Sequence, residues 1–448
     1  MTLDIKKLFE LFNPSGFLDL NKPEDRGYYI DFSSVRGNII NEIKRTIIHG
    51  GNQTCQLFTG HIGCGKSTEL SRLKLELEEE NFYVVYFQST QELDIGDVDI
   101  SDLLMGISRQ VSLSLEKANI NLNPSDFSKL LEGTAKFLNS RVTGLNLTIP
   151  VIGKVGIQSK QDQYSLSLAI AEITTRVKNS STIRDLSRNH LEPQVQSILK
   201  AINEEVIEPA KQELEKRGKK GLVIIVDALE KMDNREKLPK CSQAEYLFIR
   251  RGEQLKDFNC HVIYTIPPIL AFSNEQENLR NRFGVEPKML PMVRVKERDG
   301  NMCMKGIESL RNMVLARAFP DIKPEKASEY ISELFDTPET LDFLCQISGG
   351  HIRNLMLAIY TCLQKKDPPF SVDLVNRIIS QHQSELSIAL KPEEWDLLRQ
   401  VAQDKTIRGE DKYQNLLSTL YIFEYRDDQG QWFDINPYLA DAKELRDG

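Results

Sequence analysis

The stretch that decides the fold is Gln56-Leu57-Phe58-Thr59-Gly60-His61-Ile62-Gly63-Cys64-Gly65-Lys66-Ser67-Thr68. It opens with a short apolar run, and from Gly60 onward it follows the spacing G-x-x-x-x-G-K-[ST]. Leucines at Leu70, Leu73 and Leu77 then recur at the spacing of one helix face. The stretch therefore predicts a strand, a glycine-rich turn and a helix that begins near Lys66.

The residue types of this turn suit a chain of phosphate groups. Successive backbone N–H groups, with a helix N-terminus behind them, form a concave site for anions. Glycines leave that backbone bare, Lys66 adds a charge for the outer phosphates, and the Ser67 hydroxyl is placed to ligate Mg²⁺. The residues expected to contact the ligand are Gly60, His61, Ile62, Gly63, Cys64, Gly65, Lys66, Ser67 and Thr68. A glycine-rich turn that matches by chance is the alternative, and the strand–turn–helix context argues against it.

A second motif lies at residues 222–230, where an apolar run ends in a carboxylate. Asp227 at the tip of a buried strand can hold Mg²⁺ through its water shell, and Glu230 or Asp233 can orient the attacking water. Glu230 lies three residues after Asp227 rather than directly after it, which leaves its role as a base open. The alternative is a buried strand that is merely followed by an acidic turn.

Two further apolar runs predict neighbouring parallel strands. Residues 82–87 are continuously apolar or aromatic, and residues 260–266 end in Thr265, which is placed to contact the γ-phosphate or its water. Strands that alternate with helical patterns in this way predict an α/β P-loop NTPase core, in which helices cover both faces of a parallel sheet.

Arginine side chains beyond the sheet are candidates for contact with the phosphates. Arg353 follows the pair Gly349-Gly350, in the first turn of a predicted helix, and is placed to reach back to the phosphates. The set assigned to chemistry is Lys66, Asp227, Glu230, Thr265 and Arg353, with Ser67 and Asp227 as ligands of Mg²⁺. Three more arginines are candidates for a finger that completes another site, although a surface ion pair is favoured for each: Arg280, Arg282 and Arg294.

The hydrophobic pattern divides the chain into four parts. Residues 1–35 form a leader, in which Tyr28, Tyr29 or, just beyond it, Arg36 packs on the nucleotide base or else belongs to the core. Residues 36–295 form the ATPase domain, with an insertion at 90–200 that carries a hairpin at about 140–160. Residues 296–388 predict a helical lid, and residues 389–448 predict a winged-helix-like domain.

The acidic loop at residues 94–102 has two interpretations. Four carboxylates in nine residues suggest a metal-binding loop, but the spacing lacks the glutamate of a Ca²⁺ loop. A solvated loop is therefore preferred, with Asp99 or Ser101 capping the next helix.

Composition excludes several classes of protein. The net charge of −8 argues against a surface that broadly coats nucleic acid, and the seven cysteines form no Cys-x-x-Cys pair that would suggest zinc or a disulfide framework. No run approaches the roughly 20 apolar residues of a membrane span, and the first residues lack a signal-peptide core. We therefore expect a soluble, cytoplasmic protein with no membrane partner.

The last part of the chain is acidic. From residue 391 to 448 there are 8 Lys and Arg against 13 Asp and Glu, and the helix predicted at 413–420 carries no cation. Because DNA binding draws heavily on neutralising phosphates, we expect this domain to contact protein, with DNA possible but not favoured.

In the order of these motifs, the chain resembles P-loop ATPases of the AAA+ and STAND group, including origin-recognition-type initiators. Residues 60–70 are similar to bacterial stand-alone members. The resemblance implies ATP with Mg²⁺, nucleotide-dependent movement of the lid, and a homo-oligomer in the ATP state. It favours a slowly hydrolysing molecular switch in bacterial signalling or defence, with a DNA-engaging initiator or transposition-regulator ATPase as the alternative. A third possibility, an inactive nucleotide-binding structural protein, is disfavoured by the intact Lys66, Ser67 and Asp227.

Overall fold

The computed structural model describes residues 3–142, 145–147, 165–322, 324–408 and 411–446. Its strands are β1 Thr54–Gly60, β2 Tyr83–Gln88, β3 Leu222–Asp227, β4 Glu236–Leu238, β5 Cys241–Ser242, β6 His261–Thr265, β7 Lys288–Leu290, β8 Ile422–Asp427 and β9 Gly430–Ile435. Its α-helices are Ile5–Leu11, Pro23–Arg26, Ser33–Arg36, Ile39–His49, Lys66–Glu79, Ser89–Glu92, Ile100–Lys117, Asp126–Arg141, Leu166–Asn179, Ser181–Leu191, Val195–Ile202, Glu208–Lys216, Gln243–Glu245, Gly252–Lys256, Pro268–Phe272, Gln276–Phe283, Met304–Ala318, Pro324–Ala327, Ile331–Leu334, Pro338–Ile347, Ile352–Lys365, Val372–Ala389, Pro392–Asp404, Asp411–Ser418 and Lys443–Arg446.

Five strands form one parallel sheet in the order β2-β3-β6-β1-β7. The four strands predicted from apolar runs, β1, β2, β3 and β6, are confirmed, and β6 is the central strand, between β3 and β1. β7 was not predicted because three residues are too few to show a pattern. Alternate residues of β3 enter different cores, with Val223 and Ile225 on one face and Ile224 and Val226 on the other. The sheet therefore has helices on both faces, which confirms the three-layer α/β core.

The insertion packs on one face of this sheet, and the acidic loop holds it there. Asp97 forms ion pairs with four cations, so that the loop is tied to neighbouring elements rather than surrounded by solvent. The four are Arg184, Arg188, Arg235 and Lys237. The preference for a solvated loop was therefore wrong, because cations distant in sequence fold onto it. Asp99 does cap the helix Ile100–Lys117, as predicted. Within the described residues no metal-binding cluster of His, Cys, Asp or Glu is found.

The hairpin predicted at about 140–160 lies largely outside the described residues. Of that stretch, residues 145–147 are described, and Leu147 is buried and hydrogen-bonded through its backbone to Asn139.

The leader belongs to the same hydrophobic core as the lid. Leu8 and Phe12 of the leader pack with residues of the lid helices Met304–Ala318 and Ile352–Lys365. The leader and the lid helices are about 300 residues apart in the sequence, and folding brings them into contact. The four boundaries given from the sequence stay predictions.

The C-terminal module contains the helices Pro392–Asp404 and Asp411–Ser418 and an antiparallel hairpin of β8 and β9, here called the C-terminal hairpin. Phe423, Tyr425 and Trp432 of this hairpin join the core of the helix Lys66–Glu79. In the described part of the chain, no helix has the length and apolar character needed to cross a membrane.

Candidate functional site

The turn at residues 60–68, here called the phosphate loop, is built as its sequence predicts. β1 ends at Gly60, and the next helix begins at Lys66. Gly63 has φ +92°, and a Cβ at this position would lie 2.8 Å from the Cβ of Arg353. Two features therefore require glycine at this position: the left-handed backbone conformation and the close packing of the lid against it.

Lys66 is buried at the centre of the site. Its Nζ donates to the carbonyl oxygens of Gly60 at 2.8 Å and His61 at 3.0 Å, and it lies 3.4 Å from Oε1 of Glu230. Burial alone would lower the pKa of Lys66, but the nearby groups, Glu230 first among them and then Cys64 and Asp227, together keep that pKa above the ordinary value. Lys66 is therefore a fixed positive charge within the loop.

A tight turn brings Glu230 back to Lys66. Ala228 has φ +66°, and a 3₁₀ turn at Leu229–Lys231 follows it. This turn places the third residue after Asp227 beside the phosphate loop, so that the unusual spacing is no obstacle to a shared site. Oε2 of Glu230 is buried and has no hydrogen-bond partner among the described residues.

The two carboxylates titrate in opposite directions. Burial, and then the charge of Glu230, raise the pKa of Asp227. Burial would raise the pKa of Glu230 as well, but Lys66 and then the hydroxyl of Thr265 hold it below the ordinary value. Glu230 is therefore the ionised member of the pair.

Asp227 and Ser67 fit a magnesium ion. Asp227 at the end of β3 accepts from the Tyr86 hydroxyl and the Ala228 N–H, both at 2.7 Å, and from the Ser67 hydroxyl. A hydroxyl and a carboxylate in contact are the oxygen ligands that Mg²⁺ prefers. A cation there would also favour the ionised form of Asp227.

Thr265 and Arg353 lie at different depths. Thr265 is fully buried, accepts from the Leu229 N–H at 2.9 Å and supports Glu230 from behind. Arg353 reaches the phosphate loop through its backbone, whose N–H donates to the Gly63 oxygen at 3.2 Å, while its Nε donates to the Pro14 oxygen. Contact of either side chain with phosphate stays a prediction.

The side chains of His61 and Cys64 point away from the ligand cavity, and Cys64 belongs to the core beneath the loop. Nε2 of His61 accepts the N–H of Glu424 in the C-terminal hairpin at 3.2 Å. Burial lowers the pKa of His61 to about 3, so that the neutral ring can accept this bond. If His61 and Cys64 contact the ligand as predicted, they do so through their backbone atoms.

The loop forms one wall of a cavity of about 230 Å³. The other walls come from the leader and the lid, and the lining includes Asn13, Pro14, Phe17, Asp25, Ile62, Gly63, Gly65, Lys66, Ser67, Thr68, Glu230, Arg317, Ile352, Arg353 and Met356. Tyr28, Tyr29 and Arg36 do not line it. The sequence left open whether one of them packs on the base or belongs to the core, and contact with a base stays a prediction. The aromatic side chain of the leader that does line the cavity is Phe17, which is 42% exposed.

Arg36 has a different role from the one proposed. Its guanidinium donates to the Cys64 oxygen at 3.0 Å and to Glu69 at 2.7 Å, with both side chains buried. Tyr29 donates to the same carboxylate at 3.2 Å. These contacts hold the phosphate loop in place on the side away from the cavity. Arg36 and Tyr29 are therefore engaged with the loop rather than with the cavity.

The three candidate finger arginines each form an ion pair with a neighbouring carboxylate. Arg280 pairs with Glu277 and Glu286, Arg282 with Glu253, and Arg294 with Glu297. Which of them, if any, completes another subunit's site stays open.

The sheet order and the contents of this site define the class: the chain has an α/β P-loop NTPase core followed by a helical C-terminal region. No model of a known protein family matches the sequence, and no curated protein matches it either.

Solved structures with a similar fold include the Orc2 protein of Aeropyrum pernix, in a structure described as ADPNP–ADP complexes (TM-score 0.39, 12% identity, 91% of each chain). They also include the Walker-type ATPase PABY2304 of Pyrococcus abyssi (0.39, 14%, 97% of this chain and 99% of that one). A third is Cdc6p of Pyrobaculum aerophilum (0.34, 11%, 98% of this chain and 97% of that one). At this level of similarity they say nothing about activity.

Proposed function

We propose that this protein binds ATP with Mg²⁺, hydrolyses it slowly, and uses the nucleotide to control the position of its lid and its assembly. The observation that carries the proposal is that Lys66, Ser67 and Glu230 line one cavity, which the leader and lid also line, while the Asp227 carboxylate contacts Ser67 directly behind it. A bacterial signalling or defence role and a cytoplasmic location stay predictions from the resemblance and the composition.

The residues divide the work of hydrolysis. Lys66 and the backbone of the phosphate loop bind the phosphate charge. Ser67 and Asp227 would hold Mg²⁺, which would neutralise charge on the phosphate oxygens. The free Oε2 of Glu230 orients the attacking water and takes its proton. Thr265 fixes Glu230 through its hydroxyl.

The switch rests on contacts that join the phosphate loop, the lid and the C-terminal hairpin. Nε2 of His351 donates to the Ile62 oxygen at 2.7 Å, and the Tyr425 hydroxyl donates to the Gly349 oxygen at 2.8 Å. Phosphate binding that shifts the loop would strain these contacts. Both are hydrogen bonds between neutral groups and are worth about 0.5–1.5 kcal/mol each, whereas inverting a 1:99 population needs roughly 5.5 kcal/mol. Several of the contacts must therefore act together with Arg353.

The C-terminal module supports a protein partner over DNA. Arg298 holds Asp427 at the tip of the C-terminal hairpin through two hydrogen bonds of 3.1 Å and also donates to the Gly430 oxygen. A tip that is folded back onto the chain in this way, in an acidic module, is poorly placed to enter a groove of DNA.

Hydrolysis is tested by phosphate release from ATP. We expect the purified protein to release phosphate slowly with Mg²⁺ present and to stop when EDTA is added in excess, because Ser67 and Asp227 then hold no cation. Release that continues undiminished in EDTA would contradict the assigned metal site. No release under any condition would reduce the proposal to nucleotide binding.

Assembly is tested by light scattering with ADP and with a non-hydrolysable ATP analogue. We expect the analogue to raise the mass above that of the ADP form, because an arginine of a neighbouring subunit then has a γ-phosphate to contact. A monomer in both states would rule out this part of the proposal. Arg280→Ala, Arg282→Ala and Arg294→Ala would then show which arginine, if any, is responsible for the larger species.

A further inference from the structure

Arg317 carries a buried positive charge. Its side chain belongs to the lid helix Met304–Ala318, is 7% exposed, and donates to the oxygens of Tyr28 and Met313 at 3.3 and 3.1 Å. Within the described residues it forms no ion pair, whereas the buried Arg36 and Arg184 are paired with Glu69 and Asp94. Burial lowers the pKa of Arg317 to about 10. A guanidinium held in this way has N–H groups to offer a ligand.

Arg317 faces the nucleotide cavity at the end that the leader forms. Its bond to the Tyr28 oxygen ties it to the leader, and Asp25 of the leader lines the same cavity. Oδ2 of Asp25 accepts the N–H of Asp19 at 2.8 Å, which fixes the carboxylate and leaves Oδ1 for another donor. Lys66 and Ser67 line the cavity through the phosphate loop instead, so that the two groups of residues serve different parts of a ligand.

We propose that Arg317 and Asp25 recognise the base of the bound nucleotide and select adenine. Arg317 supplies only hydrogen-bond donors, and the Asp25 carboxylate supplies acceptors. One edge of adenine offers an acceptor, N7, beside a donor, the N6 amino group, which matches this pair. The same edge of guanine offers two acceptors, N7 and O6, and O6 would face the carboxylate. Phe17, exposed in the cavity wall, supplies a ring on which the base can stack.

This inference rests on the proposed function and has its own test. Isothermal titration calorimetry with Mg²⁺ compares ATP with inorganic tripolyphosphate, which has no base. We expect Arg317→Met to weaken ATP about 10- to 100-fold, the loss of one hydrogen bond to a charged group, and to leave tripolyphosphate binding unchanged. Arg311→Met is the matched control, because Arg311 lies on the same helix but pairs with Asp342 outside the cavity.

Asp25→Asn tests the selection of the base independently. We expect the wild type to bind ATP about 10- to 100-fold more tightly than GTP. An asparagine amide can rotate to donate to O6, so the variant should bind the two nucleotides with nearly equal affinity. Asp25 is partly exposed, and we expect Asp25→Asn to fold. If Arg317→Met does not fold, Arg317→Lys keeps the charge but loses the planar fork, and it should weaken the binding of ATP but not of tripolyphosphate.

The outcomes separate the two proposals. A wild-type protein that binds neither ATP nor tripolyphosphate would overturn the proposed function itself. A wild type that binds both, with an Arg317→Met variant that binds ATP equally well, would overturn base recognition only. Equal losses for ATP and tripolyphosphate would make Arg317 a phosphate ligand and would also overturn it, as would an unchanged preference for ATP over GTP in Asp25→Asn.

Discussion

Replacing Glu230 with glutamine (Glu230→Gln) should stop phosphate release while ATP stays bound. The amide keeps the shape of the side chain but cannot take a proton, and a general base contributes typically 10²- to 10⁴-fold to a rate. We expect phosphate release to fall by about that factor. The affinity for ATP should be equal or higher, because the carboxylate 3.4 Å from Lys66 no longer competes with the phosphates.

Two variants frame this result. Asp233→Asn is the matched control, because Asp233 is the other carboxylate considered as a base, and its side chain is exposed. Lys66→Ala should lose ATP binding as well as phosphate release. If Glu230→Gln hydrolyses at the wild-type rate and Asp233→Asn does not, the base has been assigned to the wrong residue.

The parts of this site that sequence predicted are local. Gly60 to Thr68 carry a phosphate loop within nine residues, and the apolar run before Asp227 identifies a strand tip. Such motifs are legible because the chemistry needs given residue types at a fixed spacing along one strand–turn–helix unit. The sequence showed that Glu230 follows Asp227 by three residues but not that it lies beside Lys66, because that approach depends on the left-handed conformation of Ala228.

The remaining parts are distant in sequence. His61 meets Glu424 across 363 residues, and Arg317 meets the Tyr28 oxygen across 289. No periodic pattern in the sequence indicates either contact, and each of these residues would be equally plausible as a core or surface residue at its position. The prediction of a solvated loop at residues 94–102 was wrong for the same reason. The sequence shows the charge of the aspartates but not the distant cations that pair with them in the folded chain.

Glu424 connects these distant contacts to pH. Its side chain is 1% exposed, Oε1 accepts from Gln431 at 3.0 Å, and Oε2 has no partner among the described residues. Burial raises the pKa of Glu424 to about 8, with Gln431 and Arg426 opposing. The neutral acid therefore lies in the C-terminal hairpin next to the phosphate loop, and its ionisation would weaken the docking of that hairpin.

We expect the free energy of unfolding of the wild type, measured relative to that of Glu424→Gln, to fall by about 1.5 kcal/mol between pH 6.5 and pH 8. A carboxyl with a raised pKa binds more protons in the folded state, so stability falls as pH rises from the unfolded value toward 8. Burial lowers the folded-state pKa of His61 to about 3 and of His351 to about 4, so these histidines bind protons near pH 6.5 only in the unfolded state. They raise stability slightly as pH rises through the window, equally in both proteins, and the comparison of the two proteins isolates Glu424.

Urea unfolding at pH 6.5, 7.25 and 8 measures the effect, with Glu393→Gln as the control because Glu393 is exposed on the same module. The glutamine variant should be more stable than the wild type at pH 8, an unusual result for a buried substitution, since it removes the cost of charging a carboxyl without a partner. Hydrogen exchange in β8 should show the same difference locally, because Glu424 donates its own N–H to His61. Equal pH dependence in the two proteins would mean that Glu424 is ionised in the folded state and that the hairpin docks independently of its charge.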